Sequence, residues 1–282
     1  MKKWKVFVIF FQLIFIFLFI GWQHPANDSW KEFQRTTEDL YYYLEASTIQ
    51  NFSCLVSTDM YINFMNSLGD SSYLYPLKLI WLREGRIYYV LQPSERLNDP
   101  EQRTQLLEKI QLTKNQFHGF YLDWLNFLIV SPLVDIPSNA QVNFKGDTVD
   151  VHYFSEEEGA KASVRKVFLK PGRLLWVEVE SASEKVVNYP VYREVEGKWL
   201  CIGWDSQIYV NQIISSGLST RLEFNKIQNV WMPYRADLMV QTADKPGQKF
   251  FSTIFLKDYH FNLPLQELPM PTIHTDSSKV HR

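Results

Sequence analysis

From Phe52 to Phe64, alternate positions are apolar or small (Phe52, Cys54, Val56, Thr58, Met60, Ile62, Phe64), while Ser53, Ser57, Asp59 and Asn63 fall between them. A period of two predicts one thirteen-residue strand with one buried face. Ahead of it, Phe33, Thr37, Leu40, Tyr41, Leu44 and Ser47 recur at three- and four-residue steps behind an Asp28 or Ser29 cap, which predicts a helix over 30–47. Segments 77–82 and 86–91 flank Arg83-Glu84-Gly85 and read as a hairpin. Helical periodicity returns over 100–130 through Leu106, Ile110, Phe117, Phe120, Tyr121, Trp124, Leu125 and Leu128. The second half of this stretch is more apolar than a one-sided surface helix requires, so it is expected to lie inside the fold.

After Pro137 the chain alternates strand patterns with turns at Lys145-Gly146-Asp147, Lys170-Pro171-Gly172, Glu196-Gly197-Lys198, Gln228-Asn229 and Asp244-Lys245-Pro246-Gly247. Only 209–216 suggests a short helix. In the last hairpin, Val230, Met232, Tyr234, Ala236, Leu238 and Val240 share one side of a strand, with Arg235, Asp237 and Gln241 on the other. Tight turns join antiparallel neighbours. The expected fold class is therefore α+β: a large curved antiparallel half-barrel of nine to eleven strands, its concave face covered by two main helices.

The N-terminus follows a different pattern. Lys2, Lys3 and Lys5 precede an apolar run from Val6 to Trp22 interrupted only by Gln12 and Gly21. This reads as a signal peptide or an uncleaved signal anchor over 1–22, with the lysines inside and the body extracytoplasmic. Residues 23–29 are expected as a linker, 30–263 as a single domain and the Pro-rich 264–282 as a disordered tail. The expected location is periplasmic or otherwise extracytoplasmic, with the N-terminal segment in the cytoplasmic membrane if it is retained.

Composition narrows the partners. A formal net charge of −2 without a basic, aromatic-interleaved cluster excludes nucleic acid. Cys54 and Cys201 are open to two readings, a disulfide in an oxidising compartment or two buried thiols.

The order of export segment, helix, long strand, hairpins, covering helix and a closing hairpin on Val230-Trp231-Met232-Pro233 resembles the LolA-like periplasmic lipoprotein-carrier superfamily. Phe255 to Asn262 is similar to that family's ending. The chain departs from it in lacking a lipidation cysteine near the leader and a clean small-x-small cleavage site. The resemblance implies a non-catalytic carrier that holds lipid, or the acyl chains of a lipidated protein, between sheet and helices. The 44 aromatic residues (9 Trp, 15 Tyr and 20 Phe) suit such an interior. Expected lining residues are Phe52, Val56, Met60, Ile62 and Phe64 on the first strand, with Phe117, Tyr121, Trp124 and Leu128 on the helix. The alternative is a membrane-anchored sensing or interaction module that uses the same fold against another envelope protein.

Sequence signs of catalysis are weak. The six histidines are scattered without ligand spacing, so neither a metal nor a cofactor is expected. Ser163-Val164-Arg165-Lys166 matches a Ser-x-x-Lys pattern but falls on a strand, where that chemistry has no helix start to work from. The chain is not expected to be an enzyme.

Overall fold

In the computed structural model, residues 24–83, 86–157 and 160–264 are described. The leader expected over 1–22 and nearly all of the tail expected over 264–282 lie outside them. Twelve antiparallel strands form one open sheet in the order β3-β2-β1-β12-β11-β10-β9-β8-β7-β6-β5-β4. The strands are β1 Asn51–Thr58, β2 Leu77–Leu82, β3 Ile87–Leu91, β4 Gln141–Lys145, β5 Thr148–Glu157, β6 Ala160–Leu169, β7 Arg173–Glu180, β8 Glu184–Val195, β9 Lys198–Val210, β10 Ile213–Ile227, β11 Val230–Thr242 and β12 Lys249–Phe261. From β4 to β12 the chain is an uninterrupted meander. The one non-sequential junction pairs β1 with β12, from Phe52 opposite Phe261 to Thr58 opposite Ile254.

Among the described residues three α-helices accompany the sheet: α1 His24–Glu38, α2 Asp59–Ser67 and α3 Pro100–Trp124, the last running into a π-turn at Leu125–Ile129. Helix α3 carries the chain from edge strand β3 to the opposite edge strand β4, and its contacts with β3, β1, β12 and β9 lie on one face of the sheet. Thr113 meets Thr58 at 3.2 Å, and Gln116 donates to Ser252 on β12. Farther along, Phe120 stacks on Trp204 of β9 at 5.9 Å. Phe33 of α1 lies 5.6 Å from Phe168 on β6 and 6.2 Å from Phe144 on β4.

Several expectations are corrected. The thirteen-residue strand stops at Thr58, whose hydroxyl accepts from Tyr61 N at 3.3 Å and caps α2. Met60, Ile62 and Phe64 are therefore helical, and the residues α2 buries are Tyr61 and Met65, one turn apart. The first helix ends at Glu38. Beyond it the Tyr41 hydroxyl accepts from Leu174 N at 2.5 Å and donates to Gly172 O at 2.8 Å, which ties the chain to the β6–β7 turn in extended form. Residues 24–29, expected as a linker, belong to α1.

The short helix suggested over 209–216 is instead a hairpin. Asn211 and Gln212 both adopt positive φ (51° and 65°), as a two-residue antiparallel turn requires. At Tyr234 a bulge slips the register, since Glu223 pairs with Arg235 and Phe224 with Pro233. Tyr234 therefore leaves the buried set and donates to Glu223 at the surface. A second irregularity, at Gly203, brings β9 so close to β10 that a Cβ there would sit 2.2 Å from Thr220 O.

Candidate functional site

The face carrying α3 has two regions, one sealed by the helix and one continuing beyond it. In the sealed region, Phe52, Cys54, Val56 and Thr58 of β1 point towards α3, and Trp81 and Tyr89 join them by register. Phe52 stacks on Trp81 at 5.3 Å and meets Trp124 at 5.9 Å. Phe117 touches Tyr89, Phe120, Tyr121 and Trp124 at ring separations of 5.7–6.5 Å. Phe127 and Phe120 bracket Trp204.

Of the nine expected lining residues, Phe52, Val56, Phe117, Tyr121, Trp124 and Leu128 are brought together in the buried core. Met60, Ile62 and Phe64 are half-buried on α2. Sequence reasoning missed Trp81, Tyr89 and Trp204. Their signal was parity within strands β2, β3 and β9, which becomes readable only once register is known.

Trp81 Nε1, Trp124 Nε1, Tyr89 Oη and Tyr121 Oη are buried here without a hydrogen-bond partner. Burial pushes the Tyr89 and Tyr121 phenols well above their usual range, with the Trp81 side chain partly offsetting this at Tyr121. These rings stay neutral and act as packing surface.

Beyond α3 the same face continues across the sheet. Register aligns Val177, Asn188, Ser206, Leu218, Val240 and Phe250 in one row, one step from Trp204. Val179, Val186 and Ile208 form the next row. Apart from Ser206, which is buried, these residues are half-buried or exposed, up to 44% at Phe250. At the floor of the strip, Asn188 Oδ1, Ser206 Oγ and Thr220 Oγ1 lack partners. Asp123 of α3 borders it, accepting from Trp204 Nε1 at 3.0 Å, and burial raises its carboxyl to about 6 against that hydrogen bond.

The cysteines resolve to the second reading. Cys54 on β1 and Cys201 on β9 are separate buried thiols. They stand on strands four positions apart in the sheet and are not paired. Burial raises both thiols, Cys201 to about 12.

The Ser-x-x-Lys pattern does not assemble. Ser163 meets His152 Nε2 at 2.8 Å, whereas Lys166, three residues on and so across the sheet, donates to Pro132 O and Val134 O. Desolvation lowers the Lys166 ammonium to about 8, with Asp135 opposing the shift. Asp150, on the same strand as His152, is held by Arg165 through two hydrogen bonds of 2.8 and 2.7 Å. Among the described residues no group of three His, Cys, Asp or Glu side chains is placed to hold a metal ion, and no helix is long and apolar enough to cross a membrane.

Comparison with protein-family models, curated proteins and solved structures found no match.

Proposed function

We propose that this chain is a non-catalytic, extracytoplasmic binding protein for an apolar ligand, a lipid or the acyl chains of a lipidated protein. The LolA-like resemblance belongs to the same proposal. The observation that carries it is the strip beyond α3, where Val179, Val186, Ile208, Leu218, Val240 and Phe250 extend the core face of the sheet and stay half-buried or exposed among the described residues. Burying an acyl chain there is worth about 0.8 kcal/mol per methylene, so no charged anchor is needed.

Concavity towards α3 is supported by distance. Ring steps of 6.0, 5.7 and 5.9 Å lead from Tyr89 on β3 through Phe117 and Phe120 to Trp204 on β9. Those strands are six positions apart, ~28 Å in a flat sheet, so the ring chain favours a sheet curled towards the helix.

Native mass spectrometry of the full chain released from detergent tests the reading. Wild-type protein is expected to retain an acylated ligand, and the Leu218→Asp variant to lose it. Wild-type protein that neither retains nor takes up such a ligand would overturn the proposal. The contacts that fill the space under α3 favour a second reading, a rigid sensing or interaction module for another envelope protein. A folded chain that binds no lipid yet captures such a protein would support it.

A further inference from the structure

In an antiparallel meander, alternate turns fall at the same end of the sheet. The β7–β8, β9–β10 and β11–β12 turns therefore share one end, and they are linked there by Asn211 N to Ser183 O at 3.1 Å and Ala243 N to Ser215 O at 2.8 Å. The far end of β5, with Phe154, lies on the same side. The turns on the opposite side are those after β4, β6, β8 and β10.

Exposed apolar side chains are distributed unequally between the two ends. Ile213 and Phe251 are each 72% exposed, Phe154 57% and Ile214 51%, with Phe250 and Val210 beside them. On the described strands the exposed large apolar residues towards the opposite end are Phe144 and Tyr234, each 36% exposed. Lysines fold over rings at both ends, Lys170 over Phe144 at 5.6 Å and Lys226 over Trp231 at 5.8 Å on the opposite side, so exposure rather than this pairing separates the two ends; the first group has the same companion. Lys161 Nζ lies 4.6 Å from the Phe154 ring centroid, Lys185 Nζ 5.9 Å from that of Tyr209, and Lys245 Nζ 5.9 Å from that of Phe250. An apolar or aromatic tip with a lysine folded over the ring is the composition favoured where acyl chains meet headgroups, because the ring enters the boundary while the ammonium remains with phosphate.

We infer that this end of the sheet is a docking rim for a phospholipid bilayer, with the tips at Val210–Ile214 and Phe250–Phe251 entering the interface. The apolar residues stand on separate hairpins and form no continuous flat surface. A fluid bilayer accepts several separate protrusions at once, whereas a folded protein needs one complementary patch. Glu180, Glu184 and Asp244 lie among the lysines, so attraction to the rim does not depend on net positive charge or on anionic lipid. Phe250 belongs to both the strip and the rim, so the rim is tested at Ile213 and Phe251, which lie outside the strip.

The test uses the full chain in phosphatidylcholine vesicles with a readout local to the rim, because the apolar run over 6–22 would hold any variant on a vesicle. Ile213→Cys, Phe251→Cys and, as control, Tyr234→Cys are each labelled with an environment-sensitive fluorophore. The native thiols are 1% and 0% exposed and do not compete for the label. Emission from both rim positions is expected to shift to the blue, rise about two-fold or more and be quenched by spin-labelled acyl chains, while the Tyr234 position stays water-like. Two rim sites on different hairpins guard against one variant misfolding, checked by circular dichroism. Rim labels that remain water-like in vesicles would overturn the inference. So would a blue shift that appears without lipid and grows with protein concentration, since the rim would then be a contact between copies of this chain.

Discussion

Asp123 sits at the inner side of α3 with one indole N–H as its hydrogen-bond partner, and its carboxyl is raised to about 6. Its unfolded value is near 3.9, so between those limits the native chain binds the extra proton and stability falls as pH rises. The cost is complete above the folded value and amounts to about 2 kcal/mol for this partly exposed group. Asp123→Asn is accordingly expected to unfold at higher denaturant near neutral pH and to flatten the stability profile between about pH 4 and 6, measured by urea titration across that range. Equal midpoint changes at both ends of the range would refute the assignment. At this scale the sequence was readable where one period governed a segment, as for Phe117, Tyr121 and Trp124. It misled at Met60, Ile62 and Phe64, because residues that alternate also satisfy a helix whose buried positions are Tyr61 and Met65. Tyr234 was misplaced by a bulge that depends on the partner strand.

The boundary between β1 and α2 depends on one side chain. Thr58 caps α2 and also meets Thr113 of α3, so it joins three elements at a buried point. Replacement by valine keeps the shape and removes both hydrogen bonds, and should lower stability by about 1–2 kcal/mol. A shift in urea midpoint without a change in slope would bear this out, and an unchanged midpoint would count against the cap. Thr58→Ser is the control that retains the hydroxyl. Elements were legible where turn chemistry was local, as at Glu196-Gly197 and Gln228-Asn229, whose positive φ values mark the hairpins. The helix expected to run on to Ser47 ended early because the Tyr41 hydroxyl gains two buried hydrogen bonds from a turn more than 130 residues away, a contact that no local pattern encodes.

Across the whole molecule, β12 joins the first three strands to the meander. Through β1 it pairs the earliest strand with the last, and α3 packs over both. A chain ending at residue 248 would leave β1–β3 without a neighbour and expose the faces of Ile254 and Leu256, which are 0% and 2% exposed in the intact sheet. Such a chain is expected to lose cooperative unfolding, judged by circular dichroism and thermal melting. Retention of a sharp transition would show that the meander folds without this closure. Period and turn residues by themselves determined an antiparallel α+β architecture, the helix over 100–130 and the inward set on β1, because those properties depend on neighbours a few residues away. The tertiary structure decided strand order, the separation of Cys54 from Cys201, the rings that meet α3 and the gathering of exposed tips at one end. Each of these depends on register between strands distant in the chain, and a one-residue change of register would turn every side chain to the other face.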